Sequence, residues 1–212
     1  MDVNTIILTA TNSMVGYDTT ATTLSAVFYY LLRDSTQMEK LQIELRSRYT
    51  NSAQITGDSL LSLPFLNGCI QEALRLLPPA NGKGTNRTSP GATVGGVFVP
   101  AGVNVSADMY TIQRSPDYWA EPEEFRPERW FDHGPGSIFE HDLRACHRPF
   151  LLGPRVCLGR EVAMQSLRLI IAKISFCFDL EMAEKDYDWE RETDSSYLWI
   201  GYRVMAKLNN YG

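Results

Sequence analysis

Residues 150–159 read Phe150-Leu151-Leu152-Gly153-Pro154-Arg155-Val156-Cys157-Leu158-Gly159, and this run governs how the rest of the chain is read. It closes a long irregular stretch and opens a helix. A cysteine beside a helix N-terminus lies in the positive end of the macrodipole. Arg155, two residues earlier, adds positive charge, and both effects favour the thiolate. Gly153 and Gly159 permit tight turns and let a broad, flat ligand approach the backbone. Those are the needs of a soft axial metal ligand. On this segment alone the alternative stands level with it: Cys157 as a small buried hydrophobe.

Outward from this run, the C-terminal side predicts a helix from about Leu158, with Ala163, Leu167, Ile170, Ile171 and Ile174 on one face. Strands are expected over Phe176 to Leu180 and Tyr197 to Leu208. On the N-terminal side, Ser115 to Arg155 is Pro-rich and shows no period. Stretches of that length are functional or disordered, and Phe125, Trp130, Phe131 and Phe139 favour packing. Before it, Val94 to Val99 and Val103 to Ser106 read as two short strands joined at Pro100-Ala101-Gly102, within a Gly- and Val-rich segment from Gly82 to Ser106. A short helix is expected near Ala107 to Gln113. Three further helices are predicted upstream. The first spans Ile6 to Leu32, with Leu24, Val27, Phe28 and Leu31 inward. The second is capped by Asp34 or Ser35, runs to about Tyr49, and turns Met38, Leu41 and Leu45 inward. The third runs from about Leu63 to Leu77, with the stripe Leu66, Cys69, Ile70, Ala73, Leu74 and Leu77, and Pro78-Pro79 stops it.

Two more constellations carry chemistry. Glu72 and Arg75 lie at i and i+3 on the third helix and can pair. Their neighbours are apolar, and a buried pair needs further partners, for which Arg129 is the candidate. Within the first helix, Val15-Gly16-Tyr17-Asp18-Thr19-Thr20 opposes helix propensity. Thr19 can bond back to the Val15 carbonyl, open the helix and admit a ligand or water beside Asp18 as a proton relay. The alternative there is a helix cap, with Asp18 or Thr19 starting a helix at Ala21.

Composition bounds the remaining classes. The chain has 212 residues, 44% hydrophobic and 21% charged, the profile of a folded globular protein with one or two domains. A net charge of −5 argues against nucleic-acid binding, and four cysteines are too few for a disulfide scaffold. No basic n-region precedes the first apolar run. Asn12, Asp18 and several threonines interrupt that run, so no membrane segment is expected in this chain. The Asn86 and Asn104 triplets are read as unused. A zinc site from His141, Cys146, His147 and Cys157 lacks short paired ligand spacings, and His133 is expected at the surface.

Together the three motifs resemble the cytochrome P-450 family of haem-thiolate monooxygenases, in the family's order and across nearly all of the chain. Phe150-x-x-Gly153-x-Arg155-x-Cys157-x-Gly159 is similar to its haem-binding signature, Glu72-x-x-Arg75 to its helical Glu-x-x-Arg, and Gly16-x-Asp18-Thr19-Thr20 to its oxygen-activating segment. The tail, with Phe178-Asp179-Leu180 and Leu198-Trp199, is similar to filamentous-fungal members of secondary metabolism. The resemblance implies a mainly α fold with a small β-region, residues 1–212 forming a single C-terminal part of an incomplete cytochrome P-450 domain. The abrupt apolar start then reads as an interior helix. It implies haem b, with Cys157 as axial thiolate on iron and Phe150, Gly153 and Gly159 shaping the loop. It implies Arg155 and Arg87 on the propionates, and Asp18 and Thr19 delivering protons as the catalytic pair. Glu72, Arg75 and Arg129 would form a structural network holding the cysteine loop. The implied partners are an NADPH-dependent electron-donating reductase and a small apolar substrate, oxidised with dioxygen. The implied location is the endoplasmic reticulum membrane for a full-length eukaryotic enzyme, otherwise the cytoplasm. A truncated homologue that binds haem or a partner without catalysis is the alternative. Val15 and Leu151 depart from the family pattern, which prefers Ala or Gly at the first position and a small or polar residue at the second.

Overall fold

The computed structural model describes residues 3–81, 86–195 and 198–211, with side chains from Gly16 onward. Gly82, Tyr197 and the Val15 side chain lie outside the described residues. Among the described residues the α-helices are α1 (Val3–Arg33), α2 (Ser35–Arg48), α3 (Pro64–Leu76), α4 (Met109–Gln113), α5 (Arg160–Cys177) and α6 (Trp189–Glu192). The short strands among the described residues, β1 (Arg87–Thr88), β2 (Ala92–Val94), β3 (Val97–Val99), β4 (Asn104–Val105), β5 (Phe178–Met182), β6 (Asp194–Ser195), β7 (Trp199–Ile200) and β8 (Ala206–Asn210), pair as β1–β4, β2–β3, β5–β8 and β6–β7, all antiparallel. The architecture is mainly α with small antiparallel ribbons.

The starts of α2, α3 and α4 have physical causes. Asp34 accepts the Thr36 N–H at 2.9 Å and caps α2, and Asp108 accepts the Thr111 N–H at 3.2 Å and caps α4. The first turn of α3 begins with Pro64, which has no N–H to satisfy. Its next two amides, Phe65 and Leu66, donate to the Glu44 carboxylate of α2 at 2.8 Å each. An acid supplied by a neighbouring helix thus meets the orphan donors and the dipole of α3. The fully buried side chains Leu31, Leu41, Leu45, Leu66, Ile70 and Ile171 join α1, α2, α3 and α5 in one core.

α3 packs closely against the turn Pro127–Trp130. A Cβ added at Gly68 would lie 2.5 Å from the Pro127 carbonyl oxygen, so only glycine fits without a backbone shift. Gly68→Ala is expected to destabilise the chain by about 1–3 kcal/mol through overpacking, read as a lowered urea midpoint. An unchanged midpoint would show that the turn yields freely.

Some sequence expectations are corrected. Val94 to Val99 is not one strand, because Gly95 and Gly96, at φ +57 and +83, fold it into the β2–β3 hairpin. The expected partner strand instead pairs with Arg87–Thr88. Asp18 and Thr19 do not start a helix, since α1 runs through them. Thr22 and Thr23 donate back to the Asp18 and Thr19 carbonyls at 2.8 Å each. Ile170 of α5 is 38% exposed, while Met164, Leu167, Ile171, Ala172 and Ser175 form the buried stripe. Phe176 and Cys177 remain helical, and the strand begins at Phe178. Phe125 and Phe139 are buried, whereas Phe131 is 41% exposed.

Candidate functional site

Cys157 is exposed, on a loop that precedes α5 by two residues beyond its cap, Gly159. The sequence placed it at the helix terminus; it lies just ahead of it. The loop turns at Gly153, φ +67, and its closure is fixed by the Cys157 N–H donating to the Phe150 carbonyl at 2.8 Å. Leu151 also sits in the left-handed region, φ +61, which carries a strain of about 1–3 kcal/mol for a residue with a Cβ. The unusual residue in the motif is therefore also its strained one. No atom lies within 4 Å of where a Cβ would stand on Gly153 or Gly159, so both leave open space on the loop.

Cys157 lines a cleft of about 260 Å³ with Phe150, Leu151, Ala163 and Met109, and the wall supplied by α1 carries Thr19, Thr20 and Thr23. The cleft thus joins the thiol loop to the hydroxyl-bearing helix, a pairing set by long-range packing alone. Asp18 is exposed and is absent from the cleft wall. Arg87 opens onto an adjacent cleft shared with Leu151 and Leu152, and it donates to the Asn86 carbonyl at 2.9 Å. Arg155 is exposed within the turn Gly153–Arg155. Among the described residues neither arginine forms an ion pair with a carboxylate.

A buried charge network joins α3 to the irregular segment that leads toward the loop. Arg75 donates to Glu72 through Nε at 3.0 Å and Nη2 at 2.8 Å, and Arg129 Nε reaches the same carboxylate at 3.0 Å. The Arg126 N–H and the Trp130 indole N–H, at 3.1 and 2.9 Å, complete the shell of Glu72. All three charged side chains are 0% exposed. Burial pushes the Glu72 carboxyl up, but the charges and hydrogen bonds of Arg75 and the charge of Arg129 outweigh it and hold it below the ordinary carboxylate range. Arg75 also donates to the carbonyls of Gln113, Pro122 and Glu124, at 2.6, 2.6 and 3.1 Å, and so gathers the irregular segment onto α3. The i, i+3 spacing and Arg129 were legible in the sequence.

Two other participants were not. Asp142, 8% exposed, takes Arg129 Nη1 on Oδ2 at 2.5 Å and the Ala120 N–H on Oδ1 at 2.8 Å. No periodicity surrounds it, and only the requirement for a neutral buried cluster could have pointed there. His147, also 8% exposed, packs against the Trp130 ring at 4.6 Å, and its Nε2 lies 3.0 Å from Gln71 Oε1. Burial pushes its pKa down to about 3. His141 is exposed and His147 buried, and no group of three or more His, Cys, Asp or Glu able to hold a metal forms among the described residues. No described helix is long and apolar enough to cross a membrane.

The chemistry of the donor set is one soft sulfur on an apolar cleft, with no metal-holding group of His, Cys, Asp or Glu among the described residues, and with Arg87 lining the adjacent cleft. Such a set would suit a thiolate ligand to the iron of a flat anionic cofactor, and it does not form a closed protein cage among the described residues.

A family profile described as Cytochrome P-450 matches residues 2–207. The chain is 60% identical over 195 residues to a cytochrome P-450 monooxygenase, btcB, of Colletotrichum orbiculare, covering 92% of this chain and 36% of that protein. It is 50% identical to a cytochrome P-450 monooxygenase, dpfgJ, of Gibberella zeae, covering 92% and 41%. It is 48% identical to sesterfisheric acid synthase of Neosartorya fischeri, covering 91% and 36%. The chain spans about two-fifths of the length of these relatives.

Proposed function

Because the chain belongs to the cytochrome P-450 family, we propose that it carries the haem-thiolate loop, its supporting network and the oxygen-side helix of a fungal monooxygenase. The reaction is oxidation of a small apolar organic substrate in secondary metabolism. The observation that carries this reading is the shared cleft: the exposed Cys157 on one wall and the α1 threonines on another.

Cys157 would hold haem b through its sulfur, with Arg155 and Arg87 on the propionates and Phe150, Gly153 and Gly159 shaping the space around it. Bound haem supplies the dioxygen and electron chemistry. The chain's own groups do the rest. The Phe150 carbonyl holds the Cys157 amide, and so holds the sulfur on the cleft wall. Phe150, Leu151 and Ala163 keep that wall apolar and exclude water. Asp18, exposed on α1 beside Thr19, would take protons from solvent and pass them to the Thr19 hydroxyl on the cleft wall. Glu72, Arg75 and Arg129 would anchor the irregular segment that leads into the loop. An NADPH-dependent reductase would deliver electrons. The location is the endoplasmic reticulum membrane if the full-length enzyme carries an anchor, and otherwise the cytoplasm.

A second reading, a haem- or partner-binding protein without turnover, draws on the exposed apolar residues flanking Cys157: Leu152 at 64%, Leu158 at 95% and Val162 at 70%. Surfaces of that kind bind partners. Product formation with a reductase present separates the two readings.

The test of haem ligation is spectroscopic. The full chain is expressed with haem supplied, reduced and exposed to carbon monoxide. A thiolate-type Soret band is expected, and Cys157→Ser is expected to abolish it. A folded, soluble chain with no haem absorbance, or a thiolate band that survives the substitution, overturns the assignment.

A further inference from the structure

The buried network is electrically incomplete as a triad. Glu72 contributes one negative charge, Arg75 and Arg129 two positive ones, and all three are 0% exposed. A surplus guanidinium with no counter-ion in that position is strongly destabilising. Asp142 removes the surplus: its side chain is 1% exposed and its Oδ2 meets Arg129 Nη1.

Asp142 also begins the segment that leads into the cysteine loop. Its Oδ1 is tied to the Ala120 N–H. The Leu143 N–H donates to the Tyr118 carbonyl at 2.8 Å. The Cys146 carbonyl accepts from Gln113 Nε2 at 3.2 Å, and His147 meets Gln71 of α3. Pro149 and Phe150 follow, and the Phe150 carbonyl holds the Cys157 N–H. Among the described residues, the ionic contact between this seated run, residues 142–150, and the buried network is made by Asp142.

We propose that Asp142 is a positioning residue for the axial thiolate: its carboxylate neutralises Arg129 and fixes residues 142–150 against α3, which sets where Cys157 presents its sulfur. This rests on the reading of Cys157 as the haem ligand. Asp142→Asn is the informative change. It keeps the size and an acceptor for the Ala120 N–H, but removes the charge and turns an amide donor toward the guanidinium. Asp142→Glu restores the charge.

Two measurements on the full chain test it. In the reduced, carbon-monoxide-bound holoprotein, Asp142→Asn is expected to lose most of the thiolate-type band in favour of the band of haem without thiolate, and Asp142→Glu to recover it. In the haem-free chain, Asp142→Asn is expected to speed hydrogen exchange at the Cys157 amide about tenfold or more while α2 amides exchange as before. A folded Asp142→Asn with the native band and native Cys157 exchange overturns the proposal. If wild type and variants alike bind no haem, the ligand reading fails, and the exchange measurement still decides whether Asp142 positions the loop.

Discussion

Glu72→Gln is expected to lower the unfolding free energy by about 3–5 kcal/mol, the cost of stranding buried charge, measured as a reduced urea midpoint at unchanged slope. The carboxylate takes five donors from Arg75, Arg126, Arg129 and Trp130. Glutamine offers one oxygen, and in either orientation its amide would face a guanidinium, together with the Trp130 N–H at one position or the Arg126 N–H at the other. The remaining carboxylate, Asp142, bonds Arg129 and makes no ion pair with Arg75, so the second guanidinium is left with neutral carbonyls alone. Domains are stable by about 5–15 kcal/mol in all, so this change alone places the fold near its limit. The surface pair Arg203–Glu184, 64% and 44% exposed, is the control: removing it is expected to move stability by no more than about 1 kcal/mol. Adding Arg75→Met to Glu72→Gln removes one cation with one anion, and the double variant is expected to be no less stable than the single one. A single variant as stable as wild type would show that the network is not needed for charge balance.

How much of this was visible in the sequence follows from the range of each interaction. Glu72 and Arg75 are three residues apart on one helix, so spacing alone puts them together. The stripe of α3 and the inward faces of α2 follow from the same local rule. Arg129 was reachable because aromatic and proline neighbours marked its segment as packed. Asp142 answers to a charge sum over four residues that only folding assembles. The Thr19–Cys157 cleft likewise joins residues more than a hundred positions apart. The misplaced strand over Val94 to Val99 has a different cause. Valine-rich alternation favoured one extended run, and the Gly95-Gly96 pair, which supplies the positive φ a tight hairpin requires, was read as part of it. Ile170 is apolar and in phase within about one residue, yet α5 turns its adjacent stripe inward, because periodicity fixes a face only to about a hundred degrees.

His147 should make the fold acid-sensitive in a window where exposed carboxylates are still ionised. In the unfolded chain a histidine takes up its proton near pH 6.5. In the folded chain burial against Trp130 and Trp119 holds His147 neutral down to about 3. A depressed folded pKa means that its contribution is fully present above pH 6.5 and is lost progressively as pH falls from there toward 3. Each unit is worth about 1.4 kcal/mol, so crossing most of the window removes about 3–5 kcal/mol. Glu72 acts with the same sign but lower: its stabilisation is present above the ordinary carboxylate value and disappears as pH falls through its depressed folded pKa. Glu44, raised by burial despite its two amide donors, opposes the trend weakly. The urea midpoint is therefore expected to fall steadily from pH 7 to 5 in wild type. His147→Phe, which keeps a ring against the two tryptophans and does not titrate, is expected to flatten that portion and leave the steeper loss below pH 4.5. A variant with the wild-type slope between pH 7 and 5 would assign the sensitivity to another group. His147 sits three residues before Phe150, whose carbonyl holds the Cys157 amide. Protonation that loosens His147 from Gln71 should therefore release the thiolate loop ahead of the helical core, and thiolate-type absorbance is expected to decline at higher pH than helical content.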